Sequence, residues 1–401
     1  MNAVRVFVSL IGCFIYGLTI TYVGGIENAL SQQFGLTASV MGSLNNIYLF
    51  GSVFGLIVCS SMLDGPHAHR LIVVLSFLVT IAFALVGMPE NQSYIMFGEL
   101  LMGFGAISYM TYAVKLSSVY YPKIMHRLLP LIVGFMIFGN AGTSIIENMT
   151  LRFGFVETDG VITLSLLFYT LIVWLTAKPL DDVENESPQS PREWFKQMLK
   201  VLEPLKSQEF FTVVLSTVSV GFAVVIFFNL ITPMVYIHTP YQGTTSLIYL
   251  TKAVLGSVLG FIFTEQWSTI RSLTTQYGLI CACSLMLLML FYHEADLFYI
   301  TVVLCTLAAV VSTNAANTLH NVTKNISYSQ SATRAGCLNI VYKAGVFIIG
   351  LPMSFMLPHQ TIDRIHHKDL LMPAIYFVII SSIVFAMMLH LLFNKDDSNS
   401  N

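Results

Sequence analysis

Charged side chains are scarce in this sequence. Asp, Glu, Lys and Arg make up only 10% of its 401 residues, against about 25% in soluble domains. Hydrophobic residues make up 55%, and the mean hydropathy is +0.74. A soluble protein of this size has too much surface to cover for so few polar side chains. The composition therefore excludes an ordinary soluble fold and predicts that lipid surrounds the chain.

Motifs that bind nucleotides, metals or nucleic acids are also missing. The sequence has no G-x-x-x-x-G-K-[ST] loop, which disfavours a nucleotide-driven pump. The six cysteines lie in apolar runs, and none forms the C-x-x-C pair of zinc or redox sites. No basic stripe is present and the net charge is -2, so nucleic acid is not an expected partner. We expect no cofactor and no bound metal.

Long apolar runs dominate what is there. A membrane-spanning helix needs about 20 mostly apolar residues, and backbone groups in lipid must be hydrogen-bonded within the segment. The sequence predicts twelve such spans, at residues 4–26, 40–63, 70–88, 93–114, 128–149, 160–177, 209–237, 245–264, 272–293, 296–318, 335–357 and 370–393. The expected fold class is an all-α polytopic membrane protein.

Lysine and arginine are distributed unevenly across this topology. With an even number of spans, both termini lie on the same side of the membrane. That side receives 14 of the 19 Lys and Arg residues, the opposite side receives three, and two lie inside spans. Because cytoplasmic loops carry the excess of positive charge, both termini are predicted to be cytoplasmic.

Two short stretches indicate an internal repeat. The stretch "GSVFGLIV" begins at Gly51 in span two, and "GSVLGFIF" begins at Gly256 in span eight, 205 residues later. Arg127 and Arg334, which precede spans five and eleven, are 207 residues apart. Both offsets correspond to six spans, so the chain is predicted to contain two homologous six-helix bundles with a binding site between them. The glycines themselves are interpreted as helix-packing positions.

A polar segment separates the two predicted bundles. It opens with "KPLDDVENESPQSP", which is typical of a loop, and continues with "REWFKQMLKVLEPLK", whose apolar residues share one helical face. The predicted organisation is a first bundle over residues 1–180, a cytoplasmic linker with an amphipathic helix over 181–208, and a second bundle over 209–401.

With this architecture the sequence resembles the major facilitator superfamily of transporters. The loop "SSMLDGPHAHR" keeps the acid of the family's loop between spans two and three, as Asp64, but lacks its first base. "ELLMGFGA" keeps two glycines of the span-four motif and has Glu99 where the family often has Arg. "GFMIFGNAG" has Asn140 where many exporters have Pro. The resemblance implies alternating-access transport by a monomer, and the missing exporter motif favours uptake.

Ionisable side chains inside spans are costly, so each is a functional candidate. Glu99 in span four can exchange a proton during the cycle, or serve as a structural hydrogen-bonding acid. Asp64 is the second candidate for proton coupling, as a conformational latch. Lys343 and Lys252, both in the second predicted bundle, can bind an anionic substrate group or pair with a carboxylate; Lys252 can alternatively extend to the membrane surface.

Polar uncharged residues complete the predicted substrate site. Asn314 and Asn317 are three residues apart in span ten and share a face. The resemblance implies that spans one, four, seven and ten line the cavity. It adds as candidate ligands Tyr16, Thr19, Tyr22, Tyr109, Asn229 and Tyr236. For each of these, holding helices together is an equally good interpretation.

The expected function is secondary active transport of a small polar solute, an amino acid or an organic anion, with protons as the coupling ion. An exporter of a drug-like or siderophore-like molecule and a non-transporting membrane receptor on the same scaffold are the alternatives. A membrane enzyme is disfavoured because no acid, His or metal cluster is evident at one membrane face. Short loops and tails favour a bacterial inner membrane.

Overall fold

The computed structural model describes residues 2–34, 38–88, 92–179, 191–215, 244–324, 330–356 and 371–399. Every regular element within these ranges is helical, which confirms the predicted all-α class. Helices follow from the composition, because continuous apolar segments in lipid can satisfy their backbone groups only internally.

The α-helices are numbered here in chain order. Their bounds are α1 Asn2–Phe34, α2 Ala38–Cys59, α3 Ala68–Val86, α4 Gln92–Ala106, α5 Ser108–Tyr120, α6 Met125–Ala141, α7 Thr143–Phe153, α8 Phe155–Thr176, α9 Pro191–Leu199, α10 Thr244–Trp267, α11 Ile270–Tyr292, α12 Leu297–Thr323, α13 Ser331–Met356 and α14 Leu371–Asn399. Short 3₁₀ turns lie at Met62–Asp64, Pro122–Ile124 and Lys200–Lys206.

Eleven of the twelve predicted spans coincide with these helices, and the seventh lies outside the described residues beyond residue 215. Within the described ranges, seven segments are long and apolar enough to cross a membrane, as judged by length and composition alone. They are Asn2–Tyr22, Ala68–Val86, Pro122–Ala141, Phe155–Thr176, Ile270–Tyr292, Leu297–Thr323 and Leu371–Phe393.

Two predicted spans are interrupted. Span four is divided between α4 and α5 at Ile107, and span five between α6 and α7 at Gly142. Both residues have right-handed helical dihedral angles, φ -59° and ψ -28° at Ile107 and φ -65° and ψ -15° at Gly142. The chain therefore does not reverse direction at either point, and each helix pair acts as one irregular span.

The chain divides into two compact units. The first comprises Met1–Leu128, Phe135–Pro204 and Thr323–Ile340, and the second comprises Leu129–Gly134, Leu205–Val322 and Val341–Asn401. The first unit therefore includes the beginning of α13.

Glycines allow close helix packing in the first unit. A Cβ atom added at Gly51 or Gly55 on α2 would overlap a backbone carbonyl oxygen of α4, that of Leu100 or of Phe104. Gly103 on α4 approaches the Tyr48 carbonyl of α2 in the same way. The two backbones are therefore in direct contact, as in small-residue packing between membrane helices.

The corresponding glycines of the second unit pack against side chains. A Cβ atom at Gly256 on α10 would overlap the Ser312 side chain on α12, and one at Gly260 would lie 2.6 Å from Cβ of Pro130. Gly256 thus joins the predicted spans eight and ten, just as Gly51 joins spans two and four. The two pairs are six spans apart.

Candidate functional site

Asp64 lies in a buried ion pair of the first unit. Its carboxylate Oδ1 is 3.0 Å from Nζ of Lys115 on α5, and the side chains are 4% and 0% exposed. The Met62–Asp64 turn positions the acid between α2 and α3. The ion pair therefore joins the turn after α2 to α5.

The same carboxylate binds the beginning of α13. The backbone N–H of Ala332 donates to Oδ1 at 3.1 Å, and that of Thr333 donates to Oδ2 at 2.7 Å. The first N–H groups of a helix have no partner within it and carry a partial positive charge. The Ser118 and Ser331 hydroxyls, 2.8 Å apart, add a second link between α5 and α13. Asp64 therefore holds two helices of the first unit together.

Burial raises the pKa of the Asp64 carboxyl above its ordinary value, while Lys115 and the hydrogen bond from Thr333 act in the opposite direction. The charged form of Asp64 is therefore stabilised by Lys115 and by the hydrogen bond from Thr333 against the cost of burial. Removal of either partner leaves the buried carboxylate with less compensation for its charge.

Glu99 lies in the interior of the first unit, two turns along α4. Its side chain is 1% exposed, and Oε1 has no hydrogen-bond partner among the described residues. Buried polar atoms are normally hydrogen-bonded. A buried carboxyl group that the protein bonds incompletely is a candidate for proton exchange.

Asp159 on α8 is a buried acid that the sequence interpretation did not identify. It is 3% exposed, accepts a hydrogen bond from the Tyr22 hydroxyl of α1, and accepts a second at 3.4 Å from Thr163. Tyr22 also interacts electrostatically with Glu99. The predicted ligand Tyr22 is therefore bonded within the first unit, beside two carboxyl groups.

The other predicted ligands of the first unit are buried as well. Thr19 donates to the Tyr16 carbonyl at 2.7 Å, and its hydroxyl is 3.0 Å from that of Tyr48. Tyr109 packs edge-on against Tyr169, with ring centroids 5.8 Å apart. Tyr16 and Thr19 thus lie together, while Tyr109 has a separate aromatic neighbour.

A buried amide cluster lies on α12 in the second unit. Asn314 and Asn317 are both 0% exposed. Asn314 donates to Oε1 of Gln276 on α11 at 3.2 Å, but its own carbonyl oxygen has no partner among the described residues. Neither amide atom of Asn317 has a partner there. A fully buried amide that is not bonded within the protein suits a ligand or water.

Lys252 and Lys343 are both buried in the second unit, 5% and 4% exposed. Lys252 lies on α10 and does not extend to the surface. Lys343 lies on α13, with Nζ 6.0 Å from the ring centroid of Tyr342. The predicted ligands Asn229 and Tyr236 lie outside the described residues.

Sequence reasoning missed Lys115 and Asp159. Lys115 lies 51 residues from Asp64, and nothing local in the sequence pairs them. Asp159 was missed because the sixth predicted span begins at residue 160, whereas α8 begins at Phe155. A span extended by one turn would have revealed an intramembrane acid. Within the described ranges, no group of three His, Cys, Asp or Glu side chains is arranged to hold a metal.

The comparison with known families decides the identity of the fold. The sequence model of the Major Facilitator Superfamily matches residues 9–350. The chain belongs to this superfamily. It is therefore an integral membrane protein that transports a small molecule.

Solved structures of superfamily members have the same fold. The MFS proton:xylose symporter XylE, bound to 6-bromo-6-deoxy-D-glucose, superposes with a TM-score of 0.73 over 97% of this chain and 95% of that chain, at 12% identity. The human organic anion transporter MFSD10 (TETRAN) gives a TM-score of 0.72 over 96% and 99%, also at 12% identity. A search of curated protein sequences finds no match. At this identity the similarity establishes the superfamily fold alone.

Proposed function

We propose that this transporter takes up a small polar solute, an amino acid or an organic anion, together with protons. The observation that carries the proposal is Glu99, a carboxyl group that is 1% exposed and has one oxygen without a hydrogen-bond partner in the described part of the chain. Glu99 would take up a proton when its site opens to one side of the membrane and release it on the other.

The charges of the second unit support an anionic group on the solute. Lys252 and Lys343 are buried cations, which are rare inside membrane spans and are functional candidates by default. Asn314 and Asn317, three residues apart on α12, offer amide donors and acceptors in the same unit. Proteins of this fold include a proton:xylose symporter and an organic anion transporter, so proton coupling and anion recognition are both compatible with it.

Asp64 is proposed as a conformational latch. It binds Lys115 and the first N–H groups of α13 simultaneously. Alternating access requires helices to change partners, and a charged cluster of this kind has two discrete arrangements, bonded and released. The twelve-span topology with cytoplasmic termini, a monomeric state and a bacterial inner membrane complete the proposal, together with Asn229 and Tyr236 as further ligands.

The substrate class can be identified by thermal shift. A ligand that binds only the folded protein raises its melting temperature. Amino acids, organic acids, sugars and nucleosides would be screened on the purified protein, and we expect the largest shifts from carboxylate-bearing solutes. A shift from uncharged sugars alone would contradict the assignment of the lysines.

Proton coupling can be tested by flux into proteoliposomes. We expect an inward proton gradient to accelerate uptake, and Glu99→Gln to abolish that acceleration. Glu265→Gln is the matched control, because Glu265 on α10 is exposed. Uptake by the wild type that ignores the gradient would contradict proton coupling and indicate facilitated diffusion.

A further inference from the structure

An apolar groove opens on the outer face of the first unit between α3 and α8. It has a volume of about 620 Å³, within the range of roughly 300–1,000 Å³ that is typical of ligand sites. Its lining residues are almost all apolar and include Val74, Phe77, Leu164, Phe168 and Trp174. The side chains of Leu164, Phe168 and Trp174 are each more than 60% exposed.

The dimensions of the groove fit one lipid chain. From Leu164 to Trp174 the lining residues follow α8 for ten residues, or about 15 Å at 1.5 Å per residue. The hydrocarbon core of a bilayer is about 30 Å thick, so the groove extends over about one leaflet. At its floor, the Thr80 and Thr170 hydroxyls lie 3.1 Å apart and link the two helices. Among the described residues that line it, only Thr170 carries a hydroxyl, amide or charged group.

Two cations lie at one end of the groove. Arg70 is exposed and precedes Val73 and Val74 by one helical turn on α3. Lys178 is exposed and lies four residues beyond Trp174, just after α8 ends at Thr176. Since α3 begins where α8 ends, both cations belong to the same membrane face. Basic clusters beside membrane helices attract anionic lipid headgroups.

We propose that this groove is a specific site for an anionic phospholipid. One acyl chain would lie along α8 against Leu164, Phe168 and Trp174, and the headgroup phosphate would bind Arg70 and Lys178. The positive charge of Arg70 and Lys178 at one end favours an anionic headgroup over a neutral one. The site is separate from the buried groups that the transport proposal uses.

Trp174 supplies a direct readout. The chain has three tryptophans, Trp174, Trp194 and Trp267, so Trp194→Phe with Trp267→Phe leaves Trp174 as the only one. The protein would be titrated in mixed micelles with phosphatidylglycerol or phosphatidylcholine carrying brominated acyl chains, which quench a tryptophan that they contact. We expect phosphatidylglycerol to reach half-maximal quenching at a mole fraction at least tenfold lower than phosphatidylcholine does.

Variants at the two cations test the headgroup contact. One cation near an anionic lipid surface contributes about 1 kcal/mol, which corresponds to about fivefold in affinity. Arg70→Gln and Lys178→Gln are therefore each expected to weaken phosphatidylglycerol binding about fivefold. Arg271→Gln, at an exposed arginine near the start of α11, is the matched control and should change nothing.

A second pair of variants tests the acyl-chain contact. Val74→Phe should fill part of the groove and weaken the binding of both lipids, while Leu279→Phe on the exposed face of α11 should weaken the binding of neither. Native mass spectrometry of the unmodified protein with equal amounts of both lipids gives an independent measure and should show one phosphatidylglycerol retained. Equal quenching and equal retention of both lipids would overturn the proposal, because they indicate exchangeable lipid only.

Discussion

The two units use the same sequence pattern against different kinds of neighbour. In the first unit, Gly51 and Gly55 place α2 against backbone carbonyl groups of α4. In the second unit, Gly256 and Gly260 place α10 against the side chains of Ser312 and Pro130. The pattern marks positions of close packing in both units, but the residues opposite the glycines determine whether backbone or side chain is met.

Some buried polar groups of the two units also differ in whether they are bonded to other helices. In the first unit Asp64 is paired with Lys115, and the Tyr22 hydroxyl with Asp159. In the second unit the amide of Asn317 has no partner among the described residues. Asp64 and Asp159 of the first unit therefore connect helices, whereas the amide of Asn317 in the second unit is bonded to no described residue.

Asp64→Asn should give the largest loss, because it removes the anion of the buried ion pair with Lys115. Breaking a buried pair in this way costs about 3–5 kcal/mol, and the melting temperature of the purified protein should fall by several degrees. Asp64→Asn combined with Lys115→Met should recover most of the loss.

The comparison within the second unit is Asp296→Asn. Asp296 is also a helix-capping acid, which accepts the N–H of Phe298 at 2.8 Å, but it is exposed. Because asparagine caps a helix about as well as aspartate and the position is exposed, this variant should change the melting temperature little. Equal losses at Asp64 and Asp296 would show that the buried pair adds nothing.

Gly51→Ala should destabilise the protein more than Gly256→Ala. Added atoms in a packed core cost about 1–3 kcal/mol, and the Leu100 carbonyl at Gly51 cannot move without its helix. Opposite Gly256, Oγ of Ser312 can rotate away and relieve the shortest contact, although its Cβ, which also overlaps the added atom, moves only with α12. The melting temperatures of the two variants measure the difference, and the reverse order would refute the distinction between the units.

Tyr22→Phe should cost about 1–2 kcal/mol, because it removes one hydrogen bond to a buried carboxyl group. Tyr299→Phe, at an exposed tyrosine of the second unit, is the control and should be neutral in the same melting experiment. A neutral Tyr22→Phe would mean that water replaces the hydroxyl at Asp159.

Asn317→Leu should have the smallest effect on stability and a large effect on transport. An amide without partners gives up no hydrogen bonds within the described part of the protein, so the change should stay below about 1 kcal/mol or stabilise. Substrate flux in proteoliposomes should fall at least tenfold. A large drop in melting temperature with normal flux would assign Asn317 to the framework.

The sequence predicted most of the fold because lipid imposes simple rules. Apolar length predicted the spans, and the repeated glycine pattern predicted positions of close helix packing. The interruptions at Ile107 and Gly142 were not predictable, because the composition continues through both residues and the dihedral angles remain helical.

The candidate site was less accessible from the sequence. Asp64 and Glu99 could be selected because acids are rare in apolar segments. Their partners could not be assigned, because the pairing of Asp64 with Lys115 depends on tertiary packing. Asp159 escaped because a hydropathy boundary fell one residue after it, at the point where α8 still continues by one turn towards Phe155.

The position of α13 has a consequence for synthesis of the chain. Asp64 is separated from its donor at Thr333 by 269 residues. At a translation rate of about 5–20 residues per second, this acid emerges about 13–54 s before the N–H groups that bind it. The first unit therefore cannot be completed as it leaves the ribosome, and the insertion machinery or the lipid must shelter an unfinished Asp64 and Lys115 until most of the protein has been made.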